Sequence, residues 1–304
     1  MPRTFYGPYG ENNSTYANAG NANLGRFRMG HILILPDQRQ YRFALNDGTA
    51  EVAGRLYQSV VSLAGHTNIV ADVARAIGAT AVSATLNTTA AAVDIYAEGI
   101  SHINDVDGEG YAYRIKRAMT AGAAHASATS TGVLTVNLEP SETVQVALTT
   151  SSDVSFTRNR YHQVLITAAP PTGGLAGVSP GVCAADRFYW SQVQGYAAVL
   201  ASGTMREGLP VQAGLTTAGS VENRKQRLQG GGVTALVVTA ALAYYYLVDS
   251  GGTTTLNAII TTTAGTTVGI DASGGIAYNS PTVGQCIKPN ATGDEALIDL
   301  QIPA

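Results

Sequence analysis

Apolar positions along this chain recur mostly with a period of two. "HILILPD" (31–37) is an apolar run stopped by Pro36, and "QYRFALNDG" (40–48) alternates into an Asn-Asp-Gly turn signal. "AEVAGRLYQSVVS" (50–62) continues in the same style. The clearest alternation lies in "GVLTVNLEP" and "ETVQVALTTS" (132–151), where Leu134, Val136 and Leu138 interleave with Val133, Thr135 and Asn137. β-Branched residues at every second position suit a half-buried strand. One stretch departs from the pattern. In "TNIVADVARAIGA" (67–79), Ile69, Val73, Ala76 and Ile77 fall at helical spacing, and a short helix is predicted near 69–77.

The strand "NRYHQVLITAA" runs into "PPTGGLAGVSPG" (170–181), whose Pro and Gly content marks a domain boundary. Beyond it, "DRFYWSQVQGYAAVLASGT" places the single Trp, Trp190, in a strand beside Gly195, where a bulge or close backbone approach is predicted. The chain closes on "PTVGQCIKPNATGDEALIDLQIPA", read as a hairpin in which Ile298, Leu300 and Ile302 alternate with Asp299 and Gln301. Short strands separated by Gly-rich turns predict a mainly β fold. The predicted layout is two β-sandwich or barrel-like domains, 31–175 and 176–304, behind an extended N-terminal arm, 1–30.

That arm, "MPRTFYGPYGENNSTYANAGNANLGRFRMG", has no period of either kind. Gly, Asn and Pro dominate it, yet Phe5, Tyr6, Tyr9, Tyr16 and Phe27 are spaced through it. Arg3, Arg26 and Arg28 face a single acid, Glu11, giving +2, while the rest of the chain sums to −5. Aromatic and Arg side chains are the usual interface anchors. The arm is therefore expected to be disordered alone and to dock on a neighbouring molecule through those eight residues.

Composition points the same way. Only 13% of residues are charged, against about a quarter in an ordinary soluble domain, so much of the surface is expected to be covered in an assembly. A net charge of −3 with no basic stripe argues against nucleic acid as a partner. No charged, apolar-cored leader opens the chain. The longest apolar run, "VTALVVTAALAYYYLV" (233–248), is short for a bilayer helix and carries Thr and Tyr. It reads as buried or interfacial β-structure, with Leu236, Val238, Tyr244, Tyr245 and Tyr246 as its candidate contact residues; no membrane partner is expected.

Chemistry is hard to find. The histidines (His31, His66, His102, His125, His162) have no metal-ligand spacing. "NDVDGEGY" (104–111) fails the EF-hand count, since position 12 of such a loop would be Arg114. Its acids Asp105, Asp107 and Glu109 read as a solvated turn, with weak ion binding as the alternative. Cys183 and Cys286 are expected to be unpaired and half-buried thiols. No nucleophile elbow, phosphate loop or dinucleotide fingerprint is present. No enzyme activity, cofactor or metal is expected.

Four stretches, "QYRFALNDGTAEVAGRLYQS", "AEGISHINDVDGEGYAYRIK", "DRFYWSQVQGYAAVLASGTMREGLPV" and "VGQCIKPNATGDEALIDLQI", resemble structural head proteins of tailed bacteriophages, and more narrowly their capsid decoration (cement) proteins. The terminal pattern carries most of the resemblance, through Val283, Gly284, Gly293, Ala296, Leu297 and Leu300. The resemblance implies a non-enzymatic virion protein, assembled in the host cytoplasm, on the capsid exterior. Its implied partners are the major capsid protein and itself, as a homotrimer that clamps capsomers. The alternatives are a major structural protein of shell, tail or fibre, and a glycan-binding β-protein using Tyr244, Tyr245 and Tyr246.

Overall fold

The computed structural model describes residues 4–17, 27–117, 124–224 and 281–303, together with the backbone of four short strands between them. The chain divides into a large unit, 1–224 with 280–304, and a small one, 225–279. In the large unit the N-terminal strands are β1 (Thr4–Tyr6) and β2 (Tyr16–Ala17), separated by a 3-10 turn at Glu11–Asn13. Next come β3 (Ile32–Ile34), β4 (Gln40–Leu45), β5 (Leu56–Gln58), β6 (Ile69–Val70), β7 (Ala81–Thr85) and β8 (Ile100–Asp105). They are followed by β9 (Ala112–Arg114), β10 (Val133–Asn137), β11 (Asp153–Thr157), β12 (Leu165–Ile166) and β13 (Leu175–Val178). The long β14 (Arg187–Leu200), β15 (Pro210–Ala213) and β16 (Val221–Asn223) lead to the small unit. That unit holds β17 (Leu236–Val237), β18 (Val248–Ser250), β19 (Thr253–Thr255) and β20 (Thr267–Val268), paired β17 with β20 and β18 with β19. The chain then returns for β21 (Thr282–Lys288) and β22 (Glu295–Gln301). The fold is mainly β, as its alternation requires.

One 12-stranded sheet runs β1-β3-β4-β14-β22-β21-β15-β16, with β2, β5, β12 and β13 attached off that path. Its spine is β14. The N-terminal half pairs with β4, Trp190 opposite Phe43, and the C-terminal half pairs with β22, Ala197 opposite Ile298. Between the halves the register slips at Gln192/Gln194, and Gly195 follows with φ +84°. This is the bulge the sequence predicts. A Cβ at Gly195 would meet Arg39 Cγ at 2.9 Å, so the glycine lets the β4 turn pass close by. The closing hairpin also matches its prediction: Ile298, Leu300 and Ile302 are buried while Asp299 and Gln301 face outward. Each such burial contributes about 1.5–3 kcal/mol. One face of β22 and Ile302 are therefore interior structure, and Gly284 admits β22, since a Cβ there would fall 2.0 Å from the Asp299 carbonyl oxygen.

Three expectations change. The 175/176 domain boundary falls within one sheet, because β14 joins strands from both sides of it, and the separable unit is 225–279 instead. What does change near that point is the core. One hydrophobic cluster gathers Leu33, Tyr41, Phe43, Phe156 and Trp190; the other gathers Val178, Val199, Val283, Ile298 and Leu300. The 69–77 helix is absent: Ile69 is buried in β6, but Val73 and Ile77 face solvent. Backbone bridges Ala71–Ala84 and Arg75–Leu148 hold this segment extended. Finally, "NDG" does not close a hairpin. Asn46 is buried and its Nδ2 donates to the carbonyls of Thr49 and Ala184, and β5 pairs with β12 and β13 rather than β4.

Candidate functional site

The arm residues separate into two groups. β1 pairs in parallel with β3, Phe5 opposite Leu33, so the period of two turns Phe5 inward and Tyr6 outward. Phe27 is only 8% exposed and meets the rings of Phe5, Tyr16, His31, Phe43 and Trp190 at 5.0–6.3 Å. Arg28 makes a two-pronged pair with Glu139, at 2.6 and 3.2 Å, and this partner holds the Glu139 carboxyl below its ordinary value. Beside it, buried Glu98 accepts the Met29 amide at 2.7 Å and lies 3.3 Å from Arg117 Nε; burial pushes its carboxyl up. Phe5, Tyr16, Phe27 and Arg28 therefore hold the arm to its own chain, contacts that the docking assignment did not include. Tyr6, at 75%, and Tyr9, at 62%, stay exposed. Arg3 and Arg26 lie outside the described residues.

The Tyr9 segment, β14 and β22 line an open cleft of about 510 Å³. Tyr9 and Asn12 contribute from the arm, and Gln192, Tyr196 and Glu295 from the sheet, with Arg39 at the bulge. Tyr196 is 58% exposed. Gln192 is fixed by its Nε2, which donates to the carbonyls of Gln194, Gly195 and Tyr196. Arg39 Nε donates to Asp37 at 2.7 Å; desolvation pushes the Asp37 carboxyl up, but the hydrogen bonds and charge of Arg39 together hold it below its ordinary value. A second hollow of about 360 Å³ adjoins the first, sharing Asn12, Asn13, Ser179 and Pro180, and ends at Cys183 and Tyr189. These positions come from several segments far apart in sequence. Of the residues singled out in the sequence, Tyr9 lines the cleft and the Gly195 bulge precedes Tyr196.

The second hollow has a buried carboxyl near it. Glu51 is 1% exposed, bridges through its backbone to Cys183, and has no well-aligned partner for either carboxyl oxygen among the described residues. Burial pushes it up to about 8, an effect that the Tyr189 and Ser179 hydroxyls only partly offset. The Cys183 thiol is pushed up to about 12 by burial. A thiol held protonated this strongly is a poor nucleophile or metal ligand. Both cysteines are free, and both are fully buried rather than half-buried.

A further polar cluster lies inside the first core. His66, His125 and His162 are all buried, the first two packed against Tyr96. His66 Nδ1 bonds the Tyr96 hydroxyl and Nε2 lies 2.7 Å from the Thr89 carbonyl; His125 Nε2 accepts the Tyr96 amide at 3.0 Å. Burial lowers His125, and lowers His162 to about 4. These contacts are those of core histidines. The acidic turn is likewise self-contained, with Asp105 Oδ1 accepting the Val106 amide. Among the described residues no group of three or more His, Cys, Asp and Glu is placed to hold a metal. Leu236 pairs with Val268 in β17, its side chain undescribed, and Val238, Tyr244, Tyr245 and Tyr246 lie outside the described residues. Comparison of the chain with protein-family models, with curated proteins and with solved structures finds no match.

Proposed function

We propose that this is a non-enzymatic virion structural protein that binds the outer surface of a tailed-phage capsid and stabilises contacts between capsomers. The reading rests on the resemblance of its terminal hairpin and three internal stretches to decoration proteins. The observation that carries it is exposed aliphatic surface. Val73 and Ile77, two of the four residues at helical spacing, stand 43 and 70% exposed on one extended segment, and Val70 beside them is 52% exposed. The chain has only 13% charged residues with which to keep such surface solvated. Exposed apolar side chains on a weakly charged surface favour a covering partner. The partners proposed are the major capsid protein and further copies of this chain, as a trimer at local three-fold positions.

The test uses expanded shells that lack the protein. Purified full-length chain is expected to saturate them in co-sedimentation and to raise their melting temperature. V73D with I77D, placed on exposed positions so that the fold survives, is expected to weaken attachment at least about tenfold. Wild-type protein that stays in the supernatant at all shell concentrations would end this reading.

A further inference from the structure

We propose that the cleft between the Tyr9 segment and β14 binds a neutral carbohydrate chain, with the rings of Tyr9 and Tyr196 as its stacking surfaces. The two rings are well exposed, at 62% and 58%, and both line one cleft, from segments far apart in the chain. A phenol ring combines a flat apolar face with a polar tip and has few torsions to freeze, which suits the CH-rich face and hydroxyl rim of a sugar. Tyr196 is presented by the spine of the sheet, just after the Gly195 bulge, so its backbone is set before any ligand arrives.

Polar groups between the rings supply the rest. The Asn12 and Asn13 amides offer donors and acceptors, the Gln192 Oε1 an acceptor, Arg39 donors and Glu295 acceptors. Charge narrows the ligand class. Arg39 is the one base in the described lining, it is already paired with Asp37, and Glu295 is an acid in the same lining. A phosphate- or carboxylate-bearing chain would find no cluster of cations here, whereas single-stranded nucleic acid needs a basic track beside its stacking rings. A neutral, hydroxyl-rich chain needs neither. The volume of about 510 Å³ is that of a ligand cleft, commonly roughly 300–1,000 Å³. The adjoining hollow, which shares Asn12, Asn13, Ser179 and Pro180, extends the path beyond one ring.

This assignment does not depend on capsid attachment, and its test is separate. Maltohexaose, cellohexaose and chitohexaose are titrated against the full-length protein by calorimetry and saturation-transfer NMR. At least one is expected to bind, with Y196A and Y9A each weakening it about tenfold or more at unchanged melting temperature. Y196F, which keeps the ring, should retain most of the affinity. Y6A should bind as wild type, since Tyr6 is exposed but outside the cleft. No binding by any of the three, binding indifferent to both tyrosines, or preference for a heparin hexasaccharide over all three would each overturn the proposal. Shell co-sedimentation of Y196A, expected to be normal, keeps this outcome apart from that of the capsid reading.

Discussion

The two cores that share β14 are built from different materials. The first is aromatic and holds ionisable groups: Phe27, Phe43, Phe188 and Trp190 interlock in it, and the three buried histidines and Glu98 lie within or beside it. The second is aliphatic, with Val, Ile, Leu and Ala from β14, β15, β21 and β22, and no aromatic ring. Its one nearby buried carboxylate, Glu222, accepts a hydrogen bond from Gln212 Nε2 at 3.0 Å. The difference follows from how each region is closed. The second core is closed mainly by the seven-pair β14–β22 ladder, onto which β21 and β15 add in turn through pairings with one register shift each, and small branched residues fill it. The first is closed by short strands and by the returning arm, so large rings and buried polar bonds span the gaps between segments that pair over only a few residues.

The strongest way to break this comparison is to remove a ring where the arm meets the sheet. Trp190→Ala deletes a fully buried side chain that contacts both Phe27 and Phe43. The expected cost is about 3–5 kcal/mol, read as a fall in the denaturation midpoint and a loss of near-UV circular dichroism. Amide exchange should accelerate in β3 and β4 more than in β21 and β22. Equal acceleration in both regions would mean that the sheet unfolds as one body and that the two cores are not energetically distinct.

Acid and base should act on the first region from opposite sides. His162, lowered to about 4 by burial and by the neighbouring Arg158 and His125 charges, stays neutral in the fold, while an unfolded His protonates near 6.5. Below pH 6.5 the unfolded chain therefore binds more protons, and stability falls as pH drops from 6.5 towards 4. Glu51 runs the other way. Its carboxyl titrates near 8 when folded and near 4.5 when unfolded, so the fold holds the extra proton and stability falls as pH rises from 4.5 to 8. Asp47 faces it and adds to the upward push. E51Q is expected to raise the melting temperature at pH 8.5 relative to wild type, and H162Q to flatten the acid limb between pH 6.5 and 4. Trp190, the single tryptophan, reports on this core by fluorescence. If the two variants shifted the acid and alkaline limbs in the reverse sense, the burial that sets these groups would be misplaced.

How much of this was legible depends on where each segment finds its partner. The closing hairpin was read correctly because its two strands are neighbours in sequence and alternate cleanly against one core, Ile298 and Leu300 inward. The Gly195 bulge was legible because a glycine inside a long strand has few other uses. The 69–77 segment was misread because its side-chain spacing suits a helix, while its backbone bonds go to Ser83, Leu148 and Ser152, far along the chain. "ETVQVALTTS" alternates like a strand, yet it serves this same segment through Val144 and Leu148 with isolated bonds and no ladder. The arm's contacts with its own chain were missed for a related reason. Its lack of period said nothing about Phe27, whose partners Phe43 and Trp190 come from two separate strands. Of the cleft, the sequence singled out Tyr9 and the bulge before Tyr196 but not their meeting, since the lining comes from distant segments that no local pattern connects.

The cysteines give the finest test of the comparison, because one sits in each core: Cys183 in the aromatic cluster and Cys286 in the aliphatic one. Neither is bonded to the other, so adding reductant should leave the melting temperature unchanged. Serine is a different matter from reduction. It places a hydroxyl where a thiol acted as a small hydrophobe, and a buried hydroxyl without a full partner costs about 1–3 kcal/mol. Cys183 has a carbonyl within reach, that of Ala184 at 3.5 Å from its sulfur, and lies beside the second hollow, where water can approach. Cys286 is fully buried among Val, Ile and Leu on β21. C286S is therefore expected to lose more stability than C183S in urea denaturation, while C286A, which adds no polar group, should lie between wild type and C286S. A C183S loss equal to or greater than that of C286S would show that the aliphatic core is no drier than the aromatic one, and the distinction between them would then rest on shape alone.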